Sequence, residues 1–107
     1  MNAHDASKEK KITVKINPEI AELIPAFIKN RALDVLALGK ALETKDYQTI
    51  ERLGHGMKGA GAGFGFDAIT EIGRSLENGA KIQDVERIQE AITAFSDYMR
   101  HLEVVYE

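Results

Sequence analysis

The chain is 107 residues long, 44% apolar and 29% charged, with a net charge of −3 and no cysteine. That length supports one domain around one core, and the composition is that of an ordered globular protein. Disulfides, thiolate nucleophiles and zinc–thiolate sites are excluded, no basic stripe offers a nucleic-acid surface, and no apolar run approaches the roughly 20 residues of a membrane span.

Residues 1–16 are expected to form a flexible or extended N-terminal segment, and 17–107 a helical domain. The first ten residues are polar and include the broken basic run Lys8-Glu9-Lys10-Lys11, read as a solvated tail. They hold no secretory apolar core, so the expected location is the cytoplasm. Lys11-Ile12-Thr13-Val14-Lys15-Ile16 alternates like a strand. The rest of the chain reads helical, so this strand has no expected partner and is read as an extended segment laid on the helices.

Asn17-Pro18-Glu19 is a helix start: asparagine caps, proline takes the first turn and glutamate complements the dipole. Pro25 limits this short leading helix to about two turns and opens the next one. That helix runs to about Glu43, with Ile28, Leu33, Val35, Leu36, Gly39 and Leu42 expected on its buried face. After the turn Thr44-Lys45-Asp46, a third helix carries Tyr47, Ile50, Leu53, Met57, Gly61 and Phe64 as its stripe. Gly65 and Asp67 mark a sharp turn, with Asp67 as the expected N-cap. The fourth helix turns Ile69, Ile72, Gly73, Leu76 and Ala80 inward, and Asn78-Gly79 is expected to end it. Asp84 caps the fifth, whose stripe is Val85, Ile88, Ile92, Phe95, Met99, Leu102 and Tyr106. The fold class is therefore all-α, an antiparallel four-helix bundle with a short extra N-terminal helix. Leu36, Leu53, Met57, Ile72, Leu76, Ile92, Phe95 and Met99 are its expected core.

The third helix is costly to keep. It holds Gly54, Gly56, Gly59, Gly61 and Gly63, and each helical glycine costs about 0.5–1 kcal/mol relative to alanine. Small-xxx-small spacings such as Gly59 to Gly63 and Gly61 to Gly65 suit close helix packing for the members that face inward. The others surround a histidine. Measured from the apolar stripe, His55 lies roughly 140° around the helix, Gly59 roughly 180°, Ala62 roughly 120°, Glu51 roughly 100° and Lys58 roughly 80°. His55 thus projects outward beside a flank bare of large side chains, with Lys58 near enough to set its ammonium by the imidazole.

A neutral imidazole is a nucleophile near physiological pH. Phosphoryl transfer to it adds negative charge, which a lysine about 4 Å away stabilises by about 1 kcal/mol in water and about 4 kcal/mol at an effective dielectric of 20. A bare flank lets a partner's active site close over the ring, exclude water and align the reacting atoms. His4, in the tail, and His101, beside the last helix's stripe, lack this setting. Gly54-His55-Gly56-Met57-Lys58-Gly59 spells a dinucleotide fingerprint, but the residues before it are in helical phase where that motif needs a strand. No Glu-x-x-His pair falls on facing helices, so no metal site is expected.

The segment His55-x-x-Lys58-Gly59-Ala60-Gly61-x-x-Phe64-Gly65 resembles the motif of histidine-containing phosphotransfer (HPt) domains. Leu76-Glu77 downstream and Ala41-Leu42-Glu43-Thr44-Lys45-Asp46-Tyr47 upstream are similar to the family's pattern, and the likeness covers about residues 17–105. The number of glycines, especially Gly54, Gly56 and Gly63, departs from it. The resemblance implies an antiparallel four-helix bundle and a phosphorelay carrier. His55 would be the phosphoacceptor, Lys58 would stabilise the phosphate charge, and Glu51, Gly59 and Ala62 would meet the partner. The partners would be receiver domains of response regulators or hybrid histidine kinases, with no nucleic acid and no membrane, and the protein would act as a monomer. It would need no cofactor, the divalent metal of the reaction belonging to the receiver. Nothing resembles a nucleotide-binding kinase domain, so no autophosphorylation from ATP is expected. Two other readings stand beside this one: a helical interaction module that transfers nothing, and a phosphoacceptor domain cut from a chemotaxis-type kinase. Retention of His55 and Lys58 argues against the first, and the ends of the chain favour a stand-alone protein over the second.

Overall fold

Residues 11–107 are described by a computed structural model; the expected solvated tail and His4 lie outside them. Strand β1 (Ile12–Ile16) leads into a 3-10 helix (Pro18–Leu23). Four α-helices follow: α1 (Ile24–Glu43), α2 (Tyr47–Phe64), α3 (Asp67–Lys81) and α4 (Val85–His101). Strand β2 (Leu102–Tyr106) closes the described chain.

The leading segment starts where the sequence indicates, with Asn17 Oδ1 accepting the Glu19 N–H at 2.8 Å. It winds as a 3-10 helix, and Pro25 sits in the first turn of α1, where its missing N–H breaks no bond. Two of the helix connections share one device. Lys45 (φ 55°) and Gln83 (φ 54°) take the left-handed conformation just past α1 and α3. The next N–H reaches back to a carbonyl of the last turn, Asp46 to Ala41 at 2.8 Å and Asp84 to Gly79 at 2.9 Å. Asp46 and Asp84 then cap the following helices, accepting from the N–H groups of Thr49 and Arg87 at 3.2 Å and 3.1 Å. The end of α3 expected at Asn78-Gly79 is thus corrected. Gly79 is buried in the helix against Ile88, and Gln83 supplies the left-handed residue. Between α2 and α3 that residue is Gly65 (φ 88°). Phe66, not Asp67, occupies the cap position of α3, and Asp67 falls within the first turn.

The core is built from Ile24, Phe27 and Leu38 of α1, Ile50 and Met57 of α2, Phe66, Ile69 and Leu76 around α3, and Ile88, Ile92, Phe95 and Tyr98 of α4. Met57, Leu76, Ile92 and Phe95 are buried as expected, while Leu53, Ile72 and Met99 pack against the core only partly buried. Leu36 is 66% exposed, which corrects its expected place in the core; Leu33 is exposed as well. The inward face of α1 is centred on Ile24, Phe27, Leu38 and Ala41, and Phe27 anchors it by stacking on Phe66 and tilting against Phe64, with ring centroids 4.8 and 4.6 Å away.

The strand reading of residues 12–16 holds, but its lack of a partner does not. Parallel pairing aligns Ile12 with Leu102 and Ile16 with Tyr106, and the Glu107 N–H donates to the Ile16 carbonyl at 3.1 Å. Leu102 and Tyr106, expected on the last helical stripe, are strand residues: α4 ends at His101 and Leu102 turns extended (φ −69°, ψ 132°). Val104, Val105 and Tyr106 favour strand, and β1 offers the hydrogen-bonding edge that a sequence periodicity cannot display. Ile12, Val14, Ile16, Leu102 and Val104 pack this pair onto the helices.

Candidate functional site

The site lies on the hairpin of α2 and α3, whose backbones are nearly in contact. A Cβ on Gly54 would stand 2.8 Å from both the Glu77 nitrogen and the Gly73 carbonyl oxygen. One on Gly61 would stand 2.5 Å from Thr70 Oγ1 and 2.7 Å from the Thr70 nitrogen, and one on Gly73 would stand 2.6 Å from the Gly54 oxygen. The Thr70 hydroxyl donates across to the Lys58 carbonyl at 3.2 Å. These three glycines are therefore packing residues. Gly56, Gly59 and Gly63 differ, because a Cβ on any of them would meet nothing within 4 Å.

This close approach carries Glu77 of α3 to the two polar side chains singled out on α2. Glu77 Oε2 lies 3.0 Å from His55 Nδ1, and Glu77 Oε1 accepts from Lys58 Nζ at 2.8 Å. Lys81, one turn further along α3, has its Nζ 4.0 Å from Oε2. The Glu77 side chain is only 10% exposed, that of Lys58 34%, and that of His55 71%. Lys58, and after it His55, hold the Glu77 carboxyl below its ordinary pKa by hydrogen bond and charge, against a desolvation that acts the other way. Glu77 is thus an anion near neutral pH, and an anionic carboxylate only accepts hydrogen bonds. His55 Nδ1 must then carry the proton, which leaves the Nε2 lone pair of a neutral ring unengaged by this contact.

His55 is exposed, as its angle around the helix indicated, and Gly59 and Ala62 are exposed on the same helix. Glu51 is half-buried and lines a groove with Gln48, Arg52, His55 and Glu77. Lys58 reaches the carboxylate that holds the imidazole. Sequence reasoning gave Glu77 no place at the site, although a signal was present. Glu77 stands on the inward side of α3 between Gly73 four residues before and Ala80 three residues after, both buried. An acid there needs a cationic or donor partner. His101 turns its Nδ1 to its own helix, 2.8 Å from the Asp97 carbonyl oxygen. Among the described residues no group of three or more His, Asp or Glu side chains could hold a metal ion, and no helix is long and apolar enough to cross a membrane.

Comparison with curated proteins and with solved structures finds no match. A family model described as the Hpt domain matches residues 22–103. The match runs from the end of the 3-10 helix to the start of β2 and takes in α2, α3 and the whole His55–Glu77–Lys58 cluster, so the chain belongs to the Hpt domain family.

Proposed function

We propose that the protein is a phosphoryl carrier of a two-component phosphorelay, with His55 taking the group from a phosphoaspartate on one receiver domain and giving it to an aspartate on another. The observation that carries this reading is the exposed His55 ring, tied at Nδ1 to Glu77 and open at Nε2. The Nε2 lone pair attacks phosphorus, the bond from phosphorus to the aspartyl oxygen breaks, and its electron pair returns to the carboxylate. No proton has to move. The product ring carries positive charge beside the Glu77 anion, and in this reading Lys58 offsets the negative charge of the phosphoryl oxygens.

In this reading Gly59 and Ala62 give the receiver clearance, and Glu51 lies at the edge of its footprint. The four helices form the antiparallel bundle of the family with the short leading helix at one end, and the protein works as a cytoplasmic monomer. No cofactor is assigned to this chain, and the divalent metal of the reaction sits in the receiver. The passive interaction module is disfavoured, because it has no use for an exposed histidine held in one tautomer by a nearly buried acid.

The test is labelling of His55→Gln from a phosphorylated receiver or from phosphoramidate. This variant should fold as the parent does and take up no acid-labile phosphate, while His4→Gln and His101→Gln label normally. Undiminished labelling of His55→Gln would move the acceptor elsewhere.

A further inference from the structure

Glu77 and Lys58 create a conflict within the proposed chemistry. Lys58 is the nearest cation to the Glu77 carboxylate, at 2.8 Å from Oε1, and in the carrier reading it is also the cation that offsets the phosphoryl group. That group forms on Nε2, on the side of the imidazole ring turned away from the Nδ1–Glu77 contact. An ammonium drawn toward the phosphoryl oxygens is drawn off Oε1. A carboxylate whose side chain is only 10% exposed then loses its shortest ion pair, and the phosphorylated ring at Oε2 is left as its close positive partner.

Lys81 is the other cation within ion-pair distance of this carboxylate, on its Oε2 side. It follows Glu77 by four residues on α3, the order that favours a glutamate–lysine pair on a helix, and its side chain is about half exposed and free to turn. Its Nζ is 4.0 Å from Oε2, about an ångström beyond a hydrogen bond. The other charges near Glu77 do not serve. Arg74 is occupied with Glu71 at 2.6 Å, and Arg52 and Glu51 line the groove on the α2 side. Among the described residues, neither α1 nor α4 brings a charged side chain within ion-pair distance of Glu77. Resting on the carrier reading above, we propose that Lys81 is a positioning residue that takes over the Glu77 carboxylate when Lys58 turns to the phosphoryl group. Glu77 thereby keeps its charge and its hold on His55 Nδ1 through both states of the carrier.

The test uses the whole protein and phosphoramidate, so it needs no receiver. His55 Nε2 forms its bond to phosphorus while the phosphorus–nitrogen bond of the reagent breaks, its electron pair leaving with ammonia. Lys81→Met and Lys81→Arg are compared with the parent by the initial rate of labelling and by the carbon-detected NMR shift of the Glu77 carboxyl at neutral pH, before and after phosphorylation. A pair exposed at its lysine end is worth a roughly two- to fivefold effect. The labelling rate of Lys81→Met should fall by that factor, and Lys81→Arg should restore it. The Glu77 carboxyl shift should respond to the loss of Lys81 more in the phosphorylated protein than in the free one, a change that general loosening of the helix would not produce. Equal labelling rates in the parent and Lys81→Met would overturn the proposal, as would a Glu77 response that is the same in both states. Absence of any label on parental His55 would instead defeat the carrier reading, while the Glu77 carboxyl shift of the free protein would still report whether Lys81 acts on Glu77.

Discussion

Glu77 meets two donors with its two oxygens, and its charge supports the fold as well as the proposed chemistry. Its folded pKa lies below the ordinary value, so the unfolded chain binds the proton more readily. The stabilisation is therefore fully present above the unfolded pKa, about pH 4.3, and is lost as pH falls through the lower folded value. Urea denaturation from about pH 6 down to about pH 3 should show the parent more stable than Glu77→Gln at the upper end, with the gap closing toward the lower. A gap that stays constant with pH would show that Glu77 contributes by shape and not by charge. The placement of His55 and Lys58 was legible in the sequence because it is local: an outward angle, a spacing of three and small neighbours. Glu77 was not, because its role depends on how closely two helices approach. That distance is set by Gly54 and Gly73, which lie in different helices and carry no mark of being paired.

Within α2, Gly54 and Gly61 pack against α3 while Gly56, Gly59 and Gly63 face open space, and single alanine substitutions separate the two groups. Gly59→Ala meets open space and should stabilise the protein by about 0.5–1 kcal/mol through helix propensity alone. Gly61→Ala forces a methyl against Thr70 and the Phe66 carbonyl, and should cost about 1–3 kcal/mol as overpacking. Thermal or urea midpoints read both, and equal effects would show that the division is wrong. Gly59→Glu isolates the open flank. The fold should persist and labelling by a phosphorylated receiver should drop steeply, because bulk and negative charge stand where the receiver must close. Parental transfer by a folded Gly59→Glu protein would remove this flank from the docking surface. The sequence predicted the inward place of Gly61 and the bare flank at Gly59, and it also predicted the stripes of α2 to α4 well enough to name Met57, Leu76, Ile92 and Phe95. It failed on α1, whose apolar residues are too many for one face, so that periodicity pointed to Leu36 where the core takes Leu38. Leu76→Ala should cost about 2–5 kcal/mol, and Leu36→Ala should stay within about 0.5 kcal/mol of the parent.

For the whole molecule, the strands tie together the two ends of the described chain. Parallel strands need a long crossover, and here the entire helical domain is that crossover, leaving at His101 to return beside Ile12–Ile16. The sequence showed each strand's composition but could not show the pairing, since partners some 90 residues apart share no period. β1 lies wholly before the matched family region and most of β2 lies after it. The pair is therefore an addition to the domain that holds His55, though not a loose one. Ile16 is buried, and its Cδ1 would lie 3.6 Å from a Cβ at Gly65, so β1 presses on the turn that sets the α2–α3 hairpin. Truncating Ile16 to alanine should cost about 2–5 kcal/mol. Removing residues 1–16 should cost at least as much, because the ladder to β2 goes with the side chain. Far-UV circular dichroism of the shortened chain should remain helical, and phosphoramidate should still label His55, at a lower urea midpoint. An unchanged midpoint would mean that the strands ride on the helices without supporting them. A shortened chain that stays helical but no longer labels would mean that the clip acts on the site itself, by holding Gly65 and with it the register that brings Glu77 to His55.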